Sequence, residues 1–269
     1  MQRINSIVLL GVEVMRNNII NVSLIKYEIR NIVGNIFNII FGVLFPVVMS
    51  CFLGPIFMKN VPEEMKSHIF TSYTIGVSTL IPLAVTFIGN SALYSIEVEK
   101  GIPLRFNLFG YKQYTIVISK VIAYTIFITI SIIFYTIINY ILLDIEVPSF
   151  SSGIILIISL YMLTIVSFIF SHGLALFFKS FNKTFAIAMV IYFLIMILSG
   201  LFGVNPKDFP DALGYISYLL PTTYISQEFI TFWKEGSYNF GPYIQSVIFF
   251  TTIASLILLL GIKKDSRYK

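Results

Sequence analysis

The chain has 269 residues, of which 57% are hydrophobic and only 12% charged, and its mean hydropathy is +0.88. A soluble domain carries about a quarter charged residues, so this composition excludes an ordinary soluble protein and predicts an all-α protein embedded in a lipid bilayer. The formal net charge is +5, and no nucleic-acid partner is expected.

Residues 1–30 predict an amphipathic helix at the membrane interface. Apolar residues recur at helical spacing from Val22 to Ile32, whereas Lys26 and Arg30 occupy other faces of the same helix. Because charges interrupt this segment, we expect it to lie along the membrane and to lead into the first membrane span.

Six apolar stretches follow, and each is long enough to cross the bilayer, which takes roughly 20 helical residues. The predicted spans cover about residues 32–53, 69–94, 117–142, 153–177, 184–203 and 242–262. Lys120 lies near one end of the third span, where its long side chain is expected to reach the lipid headgroups. No acidic or basic side chain lies near the middle of a span, which argues against a proton or ion path.

The orientation follows from the distribution of positive charge. Fourteen of the 18 Lys and Arg residues fall in the N-terminal segment, the 97–120 and 179–183 connections and the C-terminal tail, whereas eight of the 13 acids fall on the other side. Since loops rich in Lys and Arg stay in the cytoplasm, both termini are predicted to be cytoplasmic.

Two connections differ from simple loops. Residues 97–112 mix charges with apolar residues and predict a short interfacial helix on the cytoplasmic side. In the outer segment 204–241, residues 212–227 are uncharged but broken by Pro221, so they are too short to span and too apolar for a free loop. We expect short re-entrant helices there. No internal repeat or linker is apparent, so residues 1–269 are predicted to form a single transmembrane domain.

The sequence carries no recognisable catalytic motif. It has no phosphate-binding loop of the Gly-x-x-x-x-Gly-Lys-Ser/Thr or Gly-x-Gly-x-x-Gly type, and His68 and His172 lack the His-Glu-x-x-His spacing of a zinc site. We therefore predict no catalytic residue, no metal site and no cofactor bound by this chain. Any energy for transport would come from another subunit.

Several short motifs occur in a characteristic order along the whole chain. An amphipathic segment precedes a first span that contains Pro46, the pattern EVEKG at 97–101 precedes a Leu-Arg pair at 104–105, Ser-Gly ends the fifth span at 199–200, and LPTTY occupies 220–224. Because of the order and spacing of these motifs, the chain resembles the membrane subunits of type-2 ABC exporters, which are relatives of the ABCG-like (type V) transporters. Many members have Arg-Gly-Thr where this chain has Lys-Gly-Ile, so details of the coupling contact are expected to differ.

The resemblance implies a permease that pairs with a second copy or a paralogue in the bacterial plasma membrane and docks a separate cytosolic ATPase, which binds ATP and Mg. The cargo would be an amphiphile such as a drug, an antimicrobial peptide or a lipid-linked molecule. The residues implied for ATPase coupling are Glu97, Glu99, Gly101, Ile102, Leu104, Arg105 and Phe106. Those implied for the substrate path are Thr74, Ser78, Thr79, Ile195, Leu198 and Leu201, and those for the outer re-entrant element are Pro221 and Tyr224.

Two alternatives stay open at the level of sequence. One is a carrier or channel that acts alone, which intramembrane charge would favour. The other is a non-transporting membrane anchor or immunity protein, which would have no ATPase partner.

Overall fold

The computed structural model describes residues 20–57, 59, 61–234 and 236–266. Nearly all of this part is helical, it contains no strand, and six of its helices are long and apolar enough to cross a membrane, which confirms the predicted fold class. The helices are α1 (Val22–Gly34), α2 (Ile36–Ile56), α3 (Glu63–Glu99), α4 (Ile102–Leu108), α5 (Gln113–Leu142), α6 (Phe150–Phe178), α7 (Phe181–Leu198), α8 (Asp211–Ser217), α9 (Pro221–Gln227) and α10 (Gly241–Ser266).

Of the amphipathic segment predicted over residues 1–30, residues 1–19 lie outside the described part of the chain, and helix α1 begins at Val22. Asn21 caps the helix, because its side-chain oxygen accepts a hydrogen bond from the Leu24 amide at 3.2 Å. The buried stripe consists of Leu24, Glu28 and Ile32, whereas Val22 is exposed. An acid, Glu28, thus occupies the middle of the buried face.

Helices α2 and α3 contain stretches of π-helix close to prolines. In α2 these are Ile40–Leu44 and Met49–Leu53, on either side of Pro46, and in α3 the stretch Leu83–Asn90 follows Pro82. Proline has no backbone N–H to donate, so the ladder of hydrogen bonds changes register around it.

Helix α3 lies at the centre of the bundle, and its most apolar window is completely buried. Its π-helical segment touches α2 closely: a Cβ added to Gly89 would lie 1.7 Å from Asn38 Oδ1. The Asn38 amide in turn donates to the Ile32 carbonyl at 2.9 Å. Only glycine leaves room for this side chain, so the contact fixes α2 and the end of α1 against α3.

Helices α6 and α10 approach each other through two glycines. A Cβ on Gly173 would lie 2.6 Å from the Leu258 backbone nitrogen, and one on Gly261 would lie 2.6 Å from the Gly173 carbonyl oxygen. Small residues at such positions let membrane helices pack backbone to backbone. This pair forms one wall of the bundle.

The predicted short helices between the fifth and sixth spans are present as α8 and α9, flanked by 3-10 turns at Pro206–Asp208 and Phe229–Phe232. Helix α9 is buried against α3 and α7: the Ser226 hydroxyl donates to the Ser199 carbonyl at 2.6 Å, and a Cβ on Gly76 would lie 2.9 Å from Ser226 Cβ. Packing on protein satisfies the polar backbone of this short element.

Candidate functional site

A buried ion cluster joins three helices at the end of the bundle that carries α4. Lys120 Nζ on α5 lies 2.7 Å from Glu28 Oε2 on α1 and 2.9 Å from Glu97 Oε1 on α3. The Lys120 side chain is only 2% exposed, so the expectation that it extends to the lipid headgroups was wrong. The two carboxylates explain the difference, because they compensate the ammonium group inside the protein.

The cluster holds two carboxylates for one ammonium group, which affects its protonation. Burial raises the pKa of Glu28 to about 6, an effect that Lys120 opposes and the neighbouring carboxylate of Glu97 reinforces. The ring of Tyr94 lies 5.7 Å from Lys120 Nζ and adds a cation–π contact. Glu28 therefore takes up a proton as the pH falls toward 6.

The second acid of the EVEKG motif contacts a different helix. Glu99 Oε2 accepts a hydrogen bond from the Phe181 amide at 3.0 Å, at the first residue of α7. The first amides of a helix have no partner within the helix and carry its positive dipole end, so a carboxylate there is stabilising. Glu99 therefore ties the end of α3 to the start of α7.

A sharp turn separates α3 from α4. Gly101 adopts a left-handed conformation with φ of 66°, and α4 begins at the next residue with Pro103 in its first turn. Glycine adopts this conformation without steric cost, and proline is well suited to a first helical turn. The residue predicted for coupling at position 101 thus sets the direction of α4.

Helix α4 has one face toward the protein and one face away from it. The Phe106 ring packs edge-on against Tyr27 of α1 and against Tyr111, with centroid distances of 5.7 and 5.8 Å. On the other face Leu104 is 56% exposed and Leu108 is 80% exposed.

The sequence-predicted coupling residues therefore divide into two groups. The first group contacts other parts of the protein or sets the direction of α4, and it consists of Glu97, Glu99, Gly101 and Phe106. The second group is exposed and consists of Leu104 and Arg105. Ile102 is half-buried. The predicted coupling residues did not include Leu108 and Phe109, which are both exposed. Leu108 lies four residues after Leu104 and therefore on the same helix face, whereas Phe109 directly follows the end of the helix.

The residues predicted for the substrate path do not form one surface of the subunit. Thr74 and Ser78 line a cavity together with residues of α5 and α6. Thr79, Ile195 and Leu201 are buried in the interior. Leu198 is half-buried. Their assignment to a path stays a prediction.

The two residues predicted for the outer element, Pro221 and Tyr224, both lie in α9 and are buried. Pro221 is the first residue of the helix, where its missing N–H leaves no partner unsatisfied. Tyr224 packs against Tyr218 with a centroid distance of 5.9 Å. The element is thus an integral part of the packed protein at the end of the bundle opposite α4.

The described residues contain no group of three His, Cys, Asp or Glu side chains placed to hold a metal ion. His172 is buried and stacks with the rings of Tyr94 and Phe168, at centroid distances of 3.9 and 5.6 Å. This arrangement agrees with a packing role for that residue.

Comparison with known proteins identifies one family. A family model described as ABC-2 type transporter matches residues 21–227, which include the ion cluster, α4 and the short helices α8 and α9. A comparison with curated proteins found no match.

Proposed function

Since the chain belongs to the ABC-2 type transporter family, it is the permease component of an ABC transporter, and we propose that it exports an amphiphilic substrate with energy from a separate cytosolic ATPase. Such a membrane component is not itself catalytic, so ATP and Mg would bind to the ATPase. The excess of Lys and Arg on the α4 side supports a cytoplasmic location for α4 and for both termini, in a bacterial plasma membrane.

The observation that carries this proposal is the apolar face of α4, defined here as Leu104 and Leu108 on the helix and Phe109 directly after it. All three side chains are more than half exposed, and α4 lies outside the spans. Apolar side chains that cluster on a polar loop indicate a protein partner, and anchors of this kind dominate the binding energy of interfaces. A pocket on the ATPase is the partner that fits this family.

The contacts behind α4 support a role in transmitting motion. Helix α4 follows α3 directly, and the end of α3 is bound to α1 and α5 through the ion cluster and to α7 through Glu99. A displacement of α4 on ATP binding would therefore act on several spans together. Packed helices with discrete arrangements are the usual means of such coupling.

The proposal includes a second permease, either identical or a paralogue. Helices α2, α5 and α10 expose many large apolar side chains, which would contact lipid or the second permease. A carrier acting alone is less well supported. The three buried charges contact one another at one end of the bundle, and no charged residue lines the cavity at mid-depth. A simple membrane anchor would not need the exposed face of α4.

The test is the double substitution Leu108→Ala with Phe109→Ala. We expect release of the ATPase from detergent-solubilised complexes and loss of export, because truncating an interface anchor costs about 2 kcal/mol or more, which is roughly a 30-fold weaker affinity. The matched control is Ile130→Ala with Phe134→Ala, which removes two exposed apolar side chains from α5, away from α4. If the α4 double variant retains its ATPase and exports at the wild-type rate, α4 is only a turn and the proposal fails.

A further inference from the structure

A cavity of about 350 Å³ opens between α3, α5 and α6 at the end of the bundle opposite α4. Isoleucine and leucine are the commonest residues of its walls and include Ile133 and Ile157, both about half exposed. Tyr140 and Trp233 lie among the lining residues, and aromatic rings of this type favour the level of the lipid headgroups. The volume lies at the lower end of the range for small-molecule sites.

Glu146 carries the only charged group among the described residues that line this cavity. Its backbone is fixed at the mouth, since the Glu146 amide donates to Thr71 Oγ1 and Trp233 Nε1 donates to the Glu146 carbonyl, both at 2.8 Å. The side chain is 16% exposed. Two basic residues contact the carboxylate from the outside: Lys234 Nζ lies at 3.3 Å and His68 Nδ1 at 3.6 Å, and both side chains are more than half exposed.

A second polar group lies deeper in the same cavity. The Thr74 hydroxyl is buried, lines the cavity and has no hydrogen-bond partner among the described residues. Buried polar groups in folded proteins nearly always have a partner, so an unpaired hydroxyl in a cavity wall indicates a place where a bound molecule can contribute one. The cavity thus combines a long apolar wall, one hydroxyl and one carboxylate at the mouth.

We propose that this cavity binds a single-chain amphiphile with an ammonium head, with the hydrocarbon chain between α5 and α6 and the ammonium group at Glu146. The carboxylate attracts a cation, and the rings of Tyr140 and Trp233 add cation–π attraction at the mouth. An anionic head would be repelled by Glu146 and by the excess of acids at this end of the chain. The site goes beyond the proposed export activity, since binding here requires neither the ATPase nor transport.

Trp233 makes the proposal directly measurable, because it is the only tryptophan of the chain. The full chain is purified in an uncharged maltoside detergent and titrated with N-dodecylpyridinium, whose aromatic cation quenches tryptophan fluorescence on contact. We expect saturable quenching that dodecyltrimethylammonium reverses by competition. N-methylpyridinium, which lacks the chain, should give only weak, unsaturable quenching.

Two substitutions test the two halves of the site. Glu146→Gln removes the carboxylate and should weaken binding by roughly tenfold or more, as expected for the loss of a charged partner. Gly153→Leu should abolish binding by filling the cavity; a Cβ at this position meets only Pro148 at 3.6 Å, so the helix tolerates it. The matched control is Glu64→Gln, which removes the same charge from an exposed position near the same end of α3.

The proposal stands if the control binds like the wild type while the two site variants bind more weakly. It is overturned if Glu146→Gln binds with unchanged affinity, or if Gly153→Leu still shows saturable quenching. It is equally overturned if dodecyl sulfate displaces the probe as well as dodecyltrimethylammonium does, because the site would then not distinguish charge. Loss of the ATPase in the α4 variant has no bearing on these outcomes.

Discussion

Lys120→Met is the substitution that tests the ion cluster most directly. Methionine is unbranched like the apolar stem of lysine, one atom shorter than the whole side chain, and uncharged. The variant therefore leaves Glu28 and Glu97 buried without the ammonium group that lies 2.7 and 2.9 Å from them. All three side chains are at least nine-tenths buried, so water cannot replace the lost partner.

The expected loss of stability is large. Removing one partner of a buried ion pair typically costs about 3–5 kcal/mol, because an uncompensated charge remains in the interior. At about 2–4 °C per kcal/mol for a chain of 150–250 residues, Tm should fall by roughly 6 °C or more. Adding Glu28→Gln and Glu97→Gln to Lys120→Met removes every charge of the cluster and should recover most of the loss, since a neutral replacement of a buried ion cluster is often well tolerated.

The assay is thermal unfolding of the purified chain, followed by intrinsic fluorescence at pH 7.5. Lys112→Met is the matched control, because Lys112 is an exposed lysine just before α5, and its removal should change stability by no more than about 0.5 kcal/mol. If Lys120→Met unfolds at the wild-type temperature, or if the triple variant is no more stable than Lys120→Met, the cluster does not stabilise the inner end of the bundle and the reasoning fails.

Three further predictions follow from the described contacts. Gly173→Ala should separate α6 from α10 and lower Tm by several degrees, since the new Cβ would lie 2.6 Å from the Leu258 nitrogen; an unchanged Tm would show that the backbones are not in contact. Reporter fusions after Lys183 should read as cytoplasmic and those after Lys234 as external, and the opposite result would reverse the orientation. Because the pKa of Glu28 is raised to about 6 from 4.5, this carboxyl takes up a proton on folding between those values, so its contribution to stability should fall by on the order of 2 kcal/mol as the pH rises from 4.5 through 6. Glu28→Gln should remove that part of the pH dependence, and an identical pH profile for both proteins would contradict the assignment.

The six spans could be predicted from the sequence because apolar length is a local property. The helix ends could not be placed as well: the second span extends over Glu63–Glu99, well beyond the 69–94 of its apolar core. Its C-terminal end continues as a more polar helix that is covered by other helices of the protein. Apolar composition shows which part of a helix contacts lipid, but it does not show which more polar part is covered by other helices.

The ion cluster is an example of what sequence reasoning misses. Glu28 and Lys120 are 92 residues apart, and each alone matches the pattern of an exposed charge near the membrane surface. The burial of one depends on the presence of the other, so neither can be assigned without the tertiary contact. The acid on the apolar stripe of α1 was a detectable signal, because Leu24, Glu28 and Ile32 share the spacing of one helix face.

The EVEKG motif combines these observations at a single helix end. Successive residues of an α-helix are about 100° apart around its axis, so Glu97 and Glu99 point in nearly opposite directions. Glu97 contacts the lysine of α5, and Glu99 contacts the first amide of α7. The inner end of α3 is therefore bound from two sides immediately before Gly101 turns the chain into α4. A rotation of α3 about its axis must therefore displace both α5 and α7 or break the contact that each acid makes with them. This is what our proposal requires of the helix that leads directly into α4.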